Sequence, residues 1–353
     1  MASAAAILIA AGFSAAVLTG CGDKKEDSAI SEAEKNSQDS GEEETEKNGN
    51  KEKDAKKPVE TTITTLFGGP PTETETSVVL IPKMKEDYFN NVDVPAVSEA
   101  VAAKEQSMAD RPDFITINGL EISTDVTVLT LSKNHLTNED VADIRYLLDL
   151  KELQIYENDI TDLSFLKGLT HLNTLSVYKN KISDLSPLGG LTDMQTLQLR
   201  GNEITDIRPL KNLTKITNLD LSENHIKDIG ALENMTEMTL LKINDNEIEN
   251  ISGLSNMTVM DRLHIQNNNI SDISPLWRMT DVTEIYMEHN NISDISVVAD
   301  MKNLGWLRLS DNPITDVTPL YELTSLQKLL IQNTEAGDLS SLREALPGCS
   351  IQA

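Results

Sequence analysis

From residue 129 onward the chain repeats one pattern of apolar and polar positions. Asparagines recur every 22 residues, at Asn158, Asn180, Asn202, Asn224, Asn246, Asn268, Asn290 and Asn312. Five and three residues before each stand apolar side chains, such as Leu153 and Ile155, Leu197 and Leu199, or Leu307 and Leu309. Two residues after each comes an isoleucine, from Ile160 to Ile314. Apolar residues in alternation predict a short strand with two side chains pointing inward. A fixed period of this length predicts stacked coils whose strands form one parallel sheet. About ten residues per unit remain for the return path. That is too short for an α-helix with its loops, so 3₁₀ or extended turns are expected there.

The unit reads Leu-x-Leu-x-x-Asn-x-Ile-x-Asp-Ile-x-Pro-Leu, with proline at Pro187, Pro209, Pro275 and Pro319. It resembles the leucine-rich repeat, in the 22-residue internalin-like class of bacterial surface proteins, over about residues 126–353. The resemblance implies a leucine-rich repeat solenoid of the α/β horseshoe type. It implies a parallel concave β-sheet, a 3₁₀ or extended convex side, and a role in adhesion or protein binding.

The polar positions of the unit have physical roles of their own. An asparagine amide carries both donor and acceptor, so a buried column of them is expected to bond backbone groups of its own and the adjacent coil. The acid four residues further on (Asp162, Asp184, Asp206, Asp228, Asp272, Asp294 and Asp316, with Asn250 once) is expected to cap the following turn. A first, longer unit holds Leu129, Leu131 and Asn134, with room for a short helix capped at Asn138. In the last unit the asparagine position is Thr334. The repeat domain is therefore placed at 113–338, with a C-terminal cap at 339–353 in which Cys349 packs as a free thiol.

The N-terminal third reads differently. Residues 1–20 hold no charged side chain and end in Leu18-Thr19-Gly20-Cys21, which resembles a bacterial lipobox. The stretch is expected to be a lipoprotein signal peptide, although its only positive group is the amino group of Met1. Cys21 is the expected lipidation site, where two acyl chains suffice for stable anchoring at the outer face of the cell membrane. No Leu-Pro-x-Thr-Gly sorting signal follows the cap, so anchoring is expected to rest on Cys21. Residues 21–60 are charged and polar, with 13 acids and 8 bases after Cys21. Too little apolar surface is available there to offset ordering entropy, so a disordered tether is expected, spanning roughly 35 Å. Residues 61–112 are expected to form a flanking or cap segment, with weak helical periodicity from Val94 to Met108 that Arg111-Pro112 would stop.

Composition narrows the function. Thirty bases against 57 acids argue against a nucleic-acid groove. No glycine-rich phosphate loop, nucleophile motif or metal-ligand spacing appears, and no cofactor is implied. Residues 61–112 contain no His or Cys, so a non-enzymatic protein is expected.

The residues six, four and two before each asparagine point out of the sheet. They carry four acids and five bases in an otherwise acidic chain. Trp, Tyr and Arg are enriched in binding hot spots. One candidate patch is Arg262, His264, Glu284, Tyr286, Trp306 and Arg308, with Leu330 beside it; a second is Tyr156, Tyr178 and Arg200. The expected partner is a protein or peptide; the alternative is a carbohydrate or cell-wall ligand.

Overall fold

The computed structural model describes residues 94–353 and the backbone of Ile7–Leu8. The rest of the leader, Cys21, the charged segment and most of 61–112 lie outside the described residues. In chain order, β1 is Ile7–Leu8, α1 Val94–Ala109, β2 Phe114–Ile117, β3 Leu120–Ser123, β4 Val128–Thr130 and α2 Asn138–Val141. The repeat strands follow: β5 Glu152–Gln154, β6 Thr174–Ser176, β7 Thr196–Gln198, β8 Asn218–Asp220, β9 Leu240–Lys242, β10 Arg262–His264, β11 Glu284–Tyr286, β12 Trp306–Arg308 and β13 Lys328–Leu330. The chain closes with α3, Ser340–Ala345, and β14, Ser350–Gln352.

Strands β4 to β14 lie side by side in sequence order in one parallel sheet, and β1 pairs with the edge strand β4. Each repeat strand is in register with the next at an offset of 22 residues, as in Leu175 opposite Leu197. This is the parallel solenoid sheet that the period demands. Equivalent side chains therefore stack in columns. The inner columns, such as Leu197, Leu199 and Ile204, are fully buried. Each such side chain stabilises the fold by about 1.5–3 kcal/mol relative to exposure.

The turn after each strand depends on one backbone position and one side chain. The residue before each repeat asparagine has a left-handed φ, near +55° at Glu157, Glu223 and Asn267 and +65° at Gly201. That sharp reversal leaves backbone groups without ladder partners. The asparagines serve them. Asn224 Nδ2 donates to Leu199 O at 3.1 Å and Leu221 O at 2.9 Å, and its Oδ1 accepts from Ile204 N at 3.1 Å. One side chain thus bonds two successive coils. At the end of the column Thr334 has only a hydroxyl, which donates to Ile331 O. Ile314 N accordingly turns to the backbone oxygen of Asn312.

The convex segments are short 3₁₀ turns, such as Ser186–Leu188 and Thr318–Leu320, with proline pre-setting φ in the first turn. Each is preceded by the expected acid, whose carboxylate accepts from the backbone N two residues on, as from Ser186 to Asp184 at 2.8 Å and from Ser296 to Asp294 at 2.8 Å. Asn250 does the same for Ser252 at 2.8 Å.

One cap differs from the sequence expectation. Helix α2 is capped by Thr137, not Asn138. Asp140 reaches back to accept from Thr137 N at 2.8 Å, and these bonds hold its carboxyl below the usual range. Asn138 is left free to reach the next coil, where its Oδ1 accepts from Thr161 N at 3.0 Å.

Both ends of the core are covered. At the N-terminal end the hairpin β2–β3 turns at Asn118-Gly119, both with positive φ, and buries Ile115, Ile117 and Ile122. Helix α1 does not cover that end. It lies against the convex turns, where the small residues Ala96, Ala100 and Ala103 meet Gly168, Gly189 and Gly190. A Cβ on Gly190 would come within 2.4 Å of the Ala100 Cβ, so glycine permits the approach. At the other end β14 adds a final strand with Ile351 opposite Leu329, and α3 buries Leu342. Cys349 is partly buried there, burial pushing its thiol up, and has no disulfide partner among the described residues.

Candidate functional site

The outward positions of the strands also form columns, and these build the candidate site. In-register parallel strands bring identical positions of neighbouring repeats to roughly 4.8 Å, close to the separation of stacked rings. Tyr156 and Tyr178 stack at 4.3 Å between centroids, with planes 8° apart. His264 and Tyr286 stack at 4.3 Å and 11°. Arg308, from the next strand, lays its guanidinium on the opposite face of Tyr286, 3.8 Å from the centroid. His264, Tyr286 and Arg308 thus form one three-layer column across β10, β11 and β12.

The carboxylates of β11 and its turn fix this column. Glu284 Oε1 lies 2.6 Å from His264 Nε2, and Glu288 Oε1 lies 3.4 Å from Arg308 Nη1. Burial holds the His264 imidazole below its usual pKa, although Glu284 pulls the other way. Burial also raises the Tyr286 phenol, with the nearby Glu284 charge adding to it. Trp306 stands beside the column, 43% exposed, with Lys328 Nζ 5.8 Å from its ring.

The sequence-based patch is corrected at one point. Its outward position puts Tyr286 on the open face, but it is only 8% exposed. His264 and Arg308 cover both of its faces. Its part is to hold Arg308 in place, and the open aromatic surface belongs to Trp306. Leu330 is partly buried in the column beyond Arg308, and the Arg262 side chain is half exposed, its Nε 3.4 Å from Asp261. In the second patch Arg200 does not join the Tyr156–Tyr178 pair. It bonds Glu223 on the rim at 2.5 Å, which raises its pKa. Three atoms beside the column are buried without a hydrogen-bond partner: Gln266 Oε1, Glu288 Oε2 and Arg308 Nε. Gln266 and Glu288 follow His264 and Tyr286 by two residues, and that alternation is the only sequence signal that could have marked them. Among the described residues no group of three or more His, Cys, Asp or Glu is placed to hold a metal ion.

Comparison with known proteins agrees with the solenoid fold. The leucine-rich-repeat family model of two copies matches residues 148–190, 170–212 and 192–234, and a second leucine-rich-repeat model matches 258–314. No curated protein sequence matches significantly. Among solved structures, the internalin InlF of Listeria monocytogenes is similar, with 24% identity over 75% of this chain and 96% of its own, at a TM-score of 0.51. The functional domain of InlJ from Listeria monocytogenes matches at 22% identity over 76% of this chain and 60% of its own, TM-score 0.54. The plant peptide hormone receptor RGFR1, solved in complex with RGF2, matches at 21% identity over 60% of this chain and 36% of its own, TM-score 0.54. The chain is a leucine-rich-repeat protein, internalin-like in fold.

Proposed function

We propose that this protein is a lipid-anchored surface protein that binds a protein or peptide on the open face of its sheet, between β9 and β13. The observation that carries the reading is the His264–Tyr286–Arg308 column beside the exposed Trp306. It presents a preorganised guanidinium and an open indole on a rigid sheet, the residue types that dominate binding energy at interfaces. The plant peptide hormone receptor of like fold, solved in complex with RGF2, supports a protein or peptide as the ligand class. The lipobox-like Leu18-Thr19-Gly20-Cys21 supports the anchor.

The binding half is tested by cross-linked capture from bacterial and host extracts with wild-type and Trp306→Ala protein. A partner lost in the variant supports it; equal capture rejects it. A partner that proves to be a glycan replaces the protein ligand with the carbohydrate alternative. The anchor is tested by fatty-acid labelling of wild type and Cys21→Ser. Label retained in the serine variant removes Cys21 from the proposal.

A further inference from the structure

The charge of the open face is not uniform, and its distribution bears on the ligand. Residues 94–353 hold 39 acids and 20 bases, a net of −19. The outward positions of β9 to β13 and their first turn residues reverse that sign. They carry Lys242, Arg262, Arg308 and Lys328 against Glu284 and Glu288. Both acids are engaged, Glu284 with His264 and Glu288 with Arg308, while Arg262 Nε lies 3.4 Å from Asp261. Lys242 and Lys328 form no ion pair among the described residues.

Resting on the proposed function, we infer that this half of the face takes an extended acidic peptide segment, with carboxylates two pairs of residues apart around an apolar side chain. The spacing follows from the columns. Lys242 and Arg308 occupy the same column three strands apart, as do Arg262 and Lys328 in the column beside it. Three intervals of ~4.8 Å are roughly 14 Å, which an extended chain rising ~3.3 Å per residue covers in about four residues. Side chains at i, i+2 and i+4 share one face of an extended chain. Acids at i and i+4 therefore meet the two cations of a column, and along the Arg262–Lys328 column the apolar residue between them faces Trp306. Local positive charge in a negative domain also steers an acidic segment to this half of the sheet and away from the rest.

The test is selection from a random 12-residue peptide library on the immobilised full-length protein. Selected peptides are then measured against wild type, Arg262→Glu, Lys242→Glu and Trp306→Ala, each checked for native circular dichroism. The expected result is enrichment of Asp or Glu four residues apart with an apolar residue between. Binding should weaken at least tenfold in either charge-reversed variant, and severalfold between 50 and 300 mM NaCl. Enrichment of basic or uncharged peptides that still need Trp306 overturns the acidic ligand and leaves the face as the binding surface. Peptides indifferent to both Trp306 and Arg262 overturn the face itself. A library that yields no binder overturns both.

Discussion

Arg308 rests on the ring of Tyr286, its guanidinium carbon 3.8 Å from the ring centroid, although 22 residues of chain separate the two repeats that supply them. The contact follows from the register: β11 and β12 place Tyr286 and Arg308 side by side. A cation over a tyrosine face contributes about 0.5–2 kcal/mol. Tyr286→Phe keeps the platform and should leave thermal stability nearly unchanged. Tyr286→Ala opens a cavity and frees Arg308, and should lower stability by about 3–5 kcal/mol, as for other buried aromatics. Urea denaturation of the two variants measures the difference.

His264 gives the fold a pH dependence of definite sign. Its folded pKa lies below the unfolded value, because burial disfavours the imidazolium. As pH falls below about 6.5, the unfolded state takes up the proton first, so native stability declines with falling pH. The loss ends once pH passes below the folded pKa. His264→Gln should therefore show a smaller fall in Tm between pH 7.5 and pH 5.5 than wild type. An equal fall would show that His264 does not contribute.

The asparagine column should be intolerant of truncation. Asn224→Ala strands Leu199 O, Leu221 O and Ile204 N inside the turn. Each buried orphan costs about 1–3 kcal/mol, so a loss of about 3 kcal/mol or more is expected in urea denaturation. Asn224→Asp keeps the acceptor for Ile204 N but loses the donor, and should not restore wild-type stability.

Helix α1 should detach when its glycine seat is filled. Gly190→Leu places a side chain where the Ala96 carbonyl and the Ala100 Cβ lie. Trypsin should then cut at Lys104 at least tenfold faster than in wild type, with cleavage in the repeats unchanged. Overpacking of this kind costs about 1–3 kcal/mol.

Most of the solenoid was legible because one period decides both strand and turn. The Leu-x-Leu alternation, the asparagines and the following acids each repeat eight or nine times, and each residue type has one physical task in the coil. The ends were not legible, because they do not repeat. Asn118-Gly119 marks a two-residue hairpin, yet the strands it joins are only four residues long and their alternation is easily overlooked. Ser350–Gln352 continues the sheet after Lys328–Leu330, which is already followed by Thr334 in place of the asparagine that marks the earlier repeat strands. The seat of α1 depends on Gly168, Gly189 and Gly190, far downstream of Ala96–Lys104, which no local pattern connects to it. In the candidate site, position told which side chains share a face but not which cover one another. Position alone puts Tyr286 on the open face, whereas His264 and Arg308 enclose its ring.

The two tryptophans of the chain allow the most direct test of binding on the open face. Trp306 stands on the sheet at 43% exposure, and Trp277 stands on a convex 3₁₀ turn at 57%. The measurement is the affinity of a captured partner or selected peptide for Trp306→Ala and Trp277→Ala protein, side by side. Binding on the sheet predicts at least a tenfold loss for Trp306→Ala and an unchanged affinity for Trp277→Ala. The reverse order, or equal affinity in both variants, would contradict it.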